Sequence, residues 1–151
     1  MDDGSFSVLE NIAKVQSLFP RGFPAITEAL RCGVGRIRLR KSLLEIPALF
    51  DPETNEIEID PDSDWKKLAA GINARYPWLG VTPEDAPVFM YLHECGHARR
   101  REHVLAMPHR NLRGIRGSAF FLMDQIVIGE EEEAADDYAR ERFRKWCEGR
   151  P

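Results

Sequence analysis

The chain has 151 residues, 43% hydrophobic and 30% charged, which is enough for one ordinary domain with its own core. Its formal net charge of -4 supplies no overall basic field and disfavours a dedicated nucleic-acid-binding protein. We expect a cytoplasmic protein without membrane association, because no apolar run could cross a bilayer and residues 1–4 are acidic where a secretion signal is basic. The three scattered cysteines predict free thiols rather than a disulfide framework: Cys32, Cys95 and Cys147.

The N-terminal segment has the apolar spacing of helices. Apolar residues recur at helical intervals from Val8 to Phe19, and residues 24–30 suggest a shorter helix that ends at Gly33. We therefore expect a helical flank over residues 1–35 and a core over residues 36–147, within a single domain spanning 1–151.

Alternating residues predict a small antiparallel sheet after this flank. Ile37 and Leu39 alternate with arginines, and Ile57 and Ile59 alternate with acidic residues. Between them, an apolar segment over 46–50 leads into a turn-rich segment over 51–55, which predicts a hairpin.

Three helices are expected to follow the sheet. The first is predicted to be capped at Asp60-Pro61, and the second contains the apolar run 88–92 and lies buried between layers. The third runs from about Gly129 to Trp146, after a basic connection over 99–117. The predicted fold class is therefore α+β, with a small antiparallel sheet packed against helices.

The second of these helices carries an H-E-x-x-H motif, His93-Glu94-Cys95-Gly96-His97. Two histidines four residues apart lie on one helical face, so both imidazoles can reach one Zn²⁺ ion. The ion would lower the pKa of a bound water towards about 7, and the adjacent Glu94 could then act as general base. The pattern predicts one zinc ion per chain and a hydrolytic reaction.

A catalytic zinc site of this kind needs a third protein ligand and one open position. In the last helix Glu132 shares the direction of the apolar residues Ala139 and Phe143, so we assign it as that ligand. Asp136 lies one turn later and is expected to accept a hydrogen bond from a zinc-bound histidine. The neighbouring Glu130, Glu131 and Glu133 are expected to form a solvated acidic face.

These two motifs resemble the gluzincin arrangement of metallopeptidases and, within it, the ImmA/IrrE family. Members of that family commonly read H-E-L-G-H, and their later helix reads E-x-E-A-N/D-x-F-A, which is similar to Glu132-x-x-Ala135-Asp136-x-Tyr138-Ala139 here. The similarity covers roughly residues 36 to 145. Cys95 and Ala134 depart from the family pattern, and neither is a ligand in the predicted geometry.

The resemblance implies a zinc-dependent, site-specific protease that acts on cytoplasmic proteins. In known members of the family the substrates are helix-turn-helix transcriptional repressors, so a protein or peptide substrate is the partner it implies. We also expect a substrate peptide to lie along a strand edge, namely the segment from Glu56 to Asp60.

Several further residues have a candidate role in or beside this site. Three residues are candidates for stabilising the oxyanion of the tetrahedral intermediate: His103, His109 and Tyr138. Histidines in such positions are more often solvated loop residues. Cys95 faces away from the ligands and is expected in the core, and Gly96 is expected to allow a second backbone to pack closely.

One alternative function belongs to a different class. Arginines cluster over 99–116 and on the segment 36–40, and they could dock a regulator or nucleic acid in a non-catalytic module with a metal site. We favour instead that they balance the acidic stretch 124–137, because no aromatic residues interleave with them to stack bases. Glu94 also favours the enzyme, since zinc binding alone does not require a general base.

Overall fold

The computed structural model describes residues 5–7, 15–41, 46–107 and 122–150, with side chains from 129 onward in the last segment. These residues form an α+β domain whose sheet is covered by helices. The five helices are α1 (Ala25–Arg31), α2 (Trp65–Arg75), α3 (Ala86–Arg99), α4 (Arg101–Ala106) and α5 (Leu122–Glu148). The strands are β1 (Ser5–Ser7), β2 (Arg36–Leu39), β3 (Ala48–Asp51) and β4 (Glu56–Ile59).

The sheet is mixed rather than antiparallel throughout, with strand order β1-β2-β4-β3. The predicted hairpin of β3 and β4 is present, and β1 also pairs antiparallel to β2. However, β2 runs parallel to β4, so the prediction of a purely antiparallel sheet was wrong. Alternation within single strands defines their faces but carries no information about which strands pair or in which direction.

The N-terminal flank is only partly helical. The predicted short helix is confirmed as α1, but residues 5–7 form a strand that extends the sheet of the core. Most of the predicted helix from Val8 to Phe19 lies outside the described residues, and of its last part Val15 and Gln16 are helical before a turn.

Helix α2 begins later than the sequence suggests. Its cap is Asp64, whose side chain accepts a hydrogen bond from the backbone N–H of Lys67 at 3.0 Å. The predicted cap, Asp60, instead accepts from the backbone N–H of Asp62 and closes a local turn. The two aspartates that precede α2 therefore have different roles: Asp60 closes a turn and Asp64 caps the helix.

Helix α3 is buried along nearly its whole length between strand β3 and helix α5. This confirms the prediction of a helix between layers. The two helices are antiparallel: Phe89 near the start of α3 contacts Phe143 near the end of α5, with ring centroids 6.1 Å apart. Cys95 is fully buried on α3, as predicted, and all three cysteines are free.

An ion pair joins the two helices at each end of their contact. At one end Arg150 donates two hydrogen bonds to the buried Asp85, which precedes α3, at 2.8 and 3.0 Å. At the other end the Arg100 Nε donates to Glu131 at 2.8 Å. Arg150 holds Asp85 in a fork of two hydrogen bonds and Arg100 holds Glu131 by one, so both contacts oppose sliding of one helix along the other.

Helices α3 and α5 approach each other closely at Gly96. A Cβ atom at this position would lie 3.0 Å from Ala135 Cα and 3.1 Å from the Ala135 carbonyl oxygen. The prediction that Gly96 allows close backbone packing is therefore confirmed. Within the described residues, no helix combines the length and apolar character required to cross a membrane.

We expect Gly96→Ala to destabilise the protein by about 1–3 kcal/mol, because the new methyl group must push the α5 backbone away. The matched control is Gly71→Ala in α2, where nothing lies within 4 Å of the new Cβ. That change should instead stabilise by up to about 1 kcal/mol through helix propensity. Urea unfolding of both variants measures the difference, and a stabilised Gly96→Ala variant would contradict the packing argument.

Candidate metal centre

The side chains of His93 and His97 converge across the contact between α3 and α5. Their Nε2 atoms are 3.2 Å apart, and the two rings meet edge to face. The Glu132 carboxylate reaches both, with its oxygens 2.9 Å from the Nε2 of His93 and 3.3 Å from that of His97. Three candidate ligand groups predicted from the sequence thus lie around one small volume.

A second carboxylate holds the other nitrogen of His93. Asp136 Oδ1 lies 2.7 Å from His93 Nδ1, which is the partnership predicted for it. Tyr76 donates a hydrogen bond from its hydroxyl to the second oxygen of Asp136 at 2.7 Å. Tyr76 was not predicted from the sequence, because it follows α2 and no local pattern connects it with a residue 60 positions later.

The other nitrogen of His97 also has a carboxylate partner, and this partner is Glu131. Its Oε1 lies 3.2 Å from His97 Nδ1, and its side chain is only 3% exposed. The prediction that Glu131 belongs to a solvated face was wrong, whereas Glu130 and Glu133 are exposed as expected. The close approach at Gly96 brings two adjacent lines of α5 residues against α3, one through Glu131 and Ala135 and one through Glu132 and Asp136.

Glu94 lies beside this cluster with an unusual environment for a carboxylate. The backbone N–H of Phe50 in β3 donates a hydrogen bond to it, yet its Oε2 is buried and has no hydrogen-bond partner among the described residues. Burial raises the pKa of Glu94 and outweighs the opposing effect of the two histidines. A buried oxygen without a partner is costly unless another group binds there.

The imidazoles and carboxylates of the cluster strongly shift one another's pKa values. Burial disfavours the charged form of His93, but hydrogen bonds to Asp136 and Glu132 prevail and raise its pKa to about 10. Burial also disfavours the charged form of His97, but hydrogen bonds to Glu131 and Glu132 prevail and raise its pKa to about 9. Burial also opposes ionisation of Glu132, but its bonds to the two histidines lower its pKa far below the ordinary range.

These residues fit a divalent metal ion. The ligand atoms of His93, Glu94 and His97 lie within 4.8 Å of one another, so this group could hold a cation. Two imidazole nitrogens and the Glu132 carboxylate, which contacts both, are a donor set that suits Zn²⁺. The Glu94 oxygen that has no partner among the described residues suits a water next to the ion. Glu132 is half exposed, so one side of the group is open to solvent.

The remaining candidates are placed differently. His103 is half exposed, and its Nε2 lies 3.6 Å from Glu131, so it borders the cluster through that residue. His109 lies outside the described residues. The Tyr138 hydroxyl lies 3.1 Å from Cys32 Sγ and donates to Glu28 at 3.3 Å, so Tyr138 belongs to another buried cluster and is not retained as an oxyanion stabiliser.

The basic residues of the strand face are compensated within the chain. The arginines of β2 and Arg40 pair with glutamates of the adjacent strand β4, rather than with the acidic stretch of α5 as predicted. Arg99 lies over the Tyr138 ring, and Arg101 donates to the Pro52 carbonyl oxygen. The other predicted basic residues, Arg110, Arg113 and Arg116, lie outside the described part of the chain.

No protein-family model, no curated protein and no solved structure matches the chain. The resemblance to the ImmA/IrrE family therefore rests on the motif residues, and the function has to be argued from the geometry of the site.

We expect the metal-free protein to lose stability as the pH rises from about 6.5 to about 10. The pKa values of His93 and His97 in the folded protein, about 10 and about 9, exceed the ordinary value of 6.5. The protonated imidazoles thus stabilise the fold below pH 6.5, and this contribution is lost as the pH passes through both folded-state values.

Urea unfolding with a chelator present, at several pH values across this window, measures the effect. A variant with both histidines replaced by glutamine serves as control and should lack this part of the pH dependence. Equal pH dependence in the two proteins would show that the imidazoles are not held by the carboxylates.

Proposed function

We propose that the protein is a zinc-dependent peptidase in which His93, His97 and Glu132 hold the metal ion and Glu94 is the general base. The observation that carries the proposal is the convergence of both Nε2 atoms and the Glu132 carboxylate within 3.3 Å, beside a buried Glu94 oxygen that has no hydrogen-bond partner among the described residues. A site built only to bind zinc has no need of that fourth group.

The zinc ion, when bound, would polarise the scissile carbonyl and lower the pKa of a water molecule at the site. Glu94 accepts the proton of the attacking water at its Oε2 and passes it to the leaving amine. Burial raises the pKa of Glu94, which makes the carboxylate a stronger proton acceptor. The Phe50 backbone N–H holds the carboxylate in place against β3.

Strand β3 is also an edge strand of the sheet that the described residues form. The sequence suggested β4 as the strand that pairs with a substrate, but β4 lies between β2 and β3 and has both edges paired. In β3 the backbone groups of Ala48 and Phe50 point away from β4, as follows from the register and from the bond between Asp60 N–H and Pro47 C=O. We propose that an extended substrate peptide pairs with this edge of β3 through the Ala48 backbone and the Phe50 carbonyl, since the Phe50 N–H is bonded to Glu94.

The substrate class comes from the family resemblance. A helix-turn-helix transcriptional repressor is the substrate implied by the ImmA/IrrE-like motifs, and we propose it as the first class to test. The alternative of a non-catalytic module that binds a regulator or nucleic acid gains no support from the described arginines of the segments 36–40 and 99–101, because each contacts a partner within the chain.

We expect Glu94→Gln to retain zinc and to lose peptide hydrolysis by roughly 10²–10⁴-fold, because the change keeps the shape and removes the proton acceptor. The assay incubates zinc-loaded protein with purified repressors and with a peptide library, and detects new termini by mass spectrometry. Glu133→Gln, on an exposed position of α5, is the control with unchanged activity.

Equal cleavage by Glu94→Gln and the parent would contradict the general-base role, and no cleavage by the parent would contradict the peptidase. The inactive variant also permits a structure with an uncleaved peptide. A peptide located away from Ala48 and Phe50 would remove the proposed pairing with β3.

A further inference from the structure

Glu131 has a buried and highly specific environment that the proposed reaction does not itself use. It is 2% exposed, and its two carboxylate oxygens contact different partners. Oε1 lies 3.2 Å from His97 Nδ1, while Oε2 accepts from Arg100 Nε at 2.8 Å and lies 3.6 Å from His103. The carboxylate thus connects the second histidine of the motif with the residue that follows α3.

The contact with Nδ1 determines which nitrogen His97 presents to the metal side. A carboxylate accepts hydrogen bonds and cannot donate them, so the Nδ1 of His97 must carry the proton. Nε2 faces Glu132, so it also carries a proton in the metal-free protein. A metal ion would displace that proton while Nδ1 keeps its own, and Nε2 would then present its lone pair to the ion. Asp136 imposes the same state on His93, so each histidine has its own carboxylate.

Arg100 provides the opposite charge and the hydrogen bond that the buried Glu131 carboxylate requires. An ionised group with almost no exposure is costly unless it is paired and hydrogen-bonded, and Glu131 gains both from one guanidinium. Arg100 remains 45% exposed, so the guanidinium keeps contact with water while it orients Glu131. Because it follows directly after α3, Arg100 is positioned by the same helix that carries His97.

We propose that Glu131 and Arg100 form a positioning pair for His97, which fixes its tautomer and orientation and thereby sets the zinc affinity of the site. This inference rests on the proposed zinc site and adds a second carboxylate to it. It gives a role to Glu131, which the sequence had placed on a solvated acidic face.

The first test is zinc competition against a calibrated chelator at fixed pH. Glu131→Ala should weaken zinc binding by about 10–100-fold. Glu131→Gln should lie between this variant and the parent, because its amide oxygen still accepts from Nδ1–H but no longer pairs as a charge with Arg100. Arg100→Ala should also weaken binding, and Glu133→Ala, on the same helix but exposed, should leave it unchanged.

The second test separates positioning from general damage to the fold. Nitrogen-15 spectra of the zinc-loaded protein report the protonation state of each ring nitrogen. Glu131→Ala should perturb the signals of His97 and spare those of His93, whereas Asp136→Ala should do the opposite. A structural defect would disturb both histidines alike, and unfolding of each variant in chelator checks that the chain still folds.

The outcomes separate this inference from the proposed function. If the parent protein binds no zinc, the proposed metal site fails. If the parent binds zinc while Glu131→Ala and Glu131→Gln match Glu133→Ala in affinity and leave the His97 signals unchanged, only the positioning pair is overturned. Graded affinity loss together with a selective change at His97 supports it.

Discussion

The close antiparallel contact between α3 and α5 is the constraint on which the candidate site depends. Gly96 has no Cβ, so the backbone at Ala135 can approach to a distance at which a Cβ atom would be crowded. This approach sets two lines of α5 side chains against the histidines of α3, with Glu132 and Asp136 on one and Glu131 on the other. The ion pairs at the two ends of the contact hold the register that keeps these partners opposite each other.

The electrostatics of the site follow from this crowding. Four carboxylates, from Glu94, Glu131, Glu132 and Asp136, surround two imidazoles in a partly buried space. Carboxylates in such a space repel one another and require positive charge. Arg100 and protonated imidazoles provide it in the metal-free protein, which is why the pKa values of His93 and His97 rise. A divalent ion would provide it in the zinc-bound protein and would displace the Nε2 proton of each histidine, while Nδ1 keeps its proton.

The sequence predicted the parts of this arrangement that depend on helical phase. The i, i+4 spacing places His93 and His97 on one face, and the apolar residues Ala139 and Phe143 identify the direction of Glu132; the structure brings these three side chains together. The burial of Cys95 and the tight packing at Gly96 followed from the same reasoning. The hairpin of β3 and β4 followed from alternation and turn chemistry.

The features that were missed depend on contacts between distant segments. The parallel pairing of β2 with β4, the bond from Tyr76 to Asp136 and that from the Phe50 backbone to Glu94 have no local signature. The sequence placed Glu131 on the solvated face because the helical phase of α5 gives the centre of its buried face. It does not give how many side chains on either side of that centre α3 covers. The central claim, that Glu132 completes the zinc site, is tested most directly by the zinc content of purified protein after dialysis. The account predicts one zinc ion per chain in the parent and in Glu133→Ala, and its loss in Glu132→Ala; zinc retained by Glu132→Ala, or absent from the parent, would contradict it.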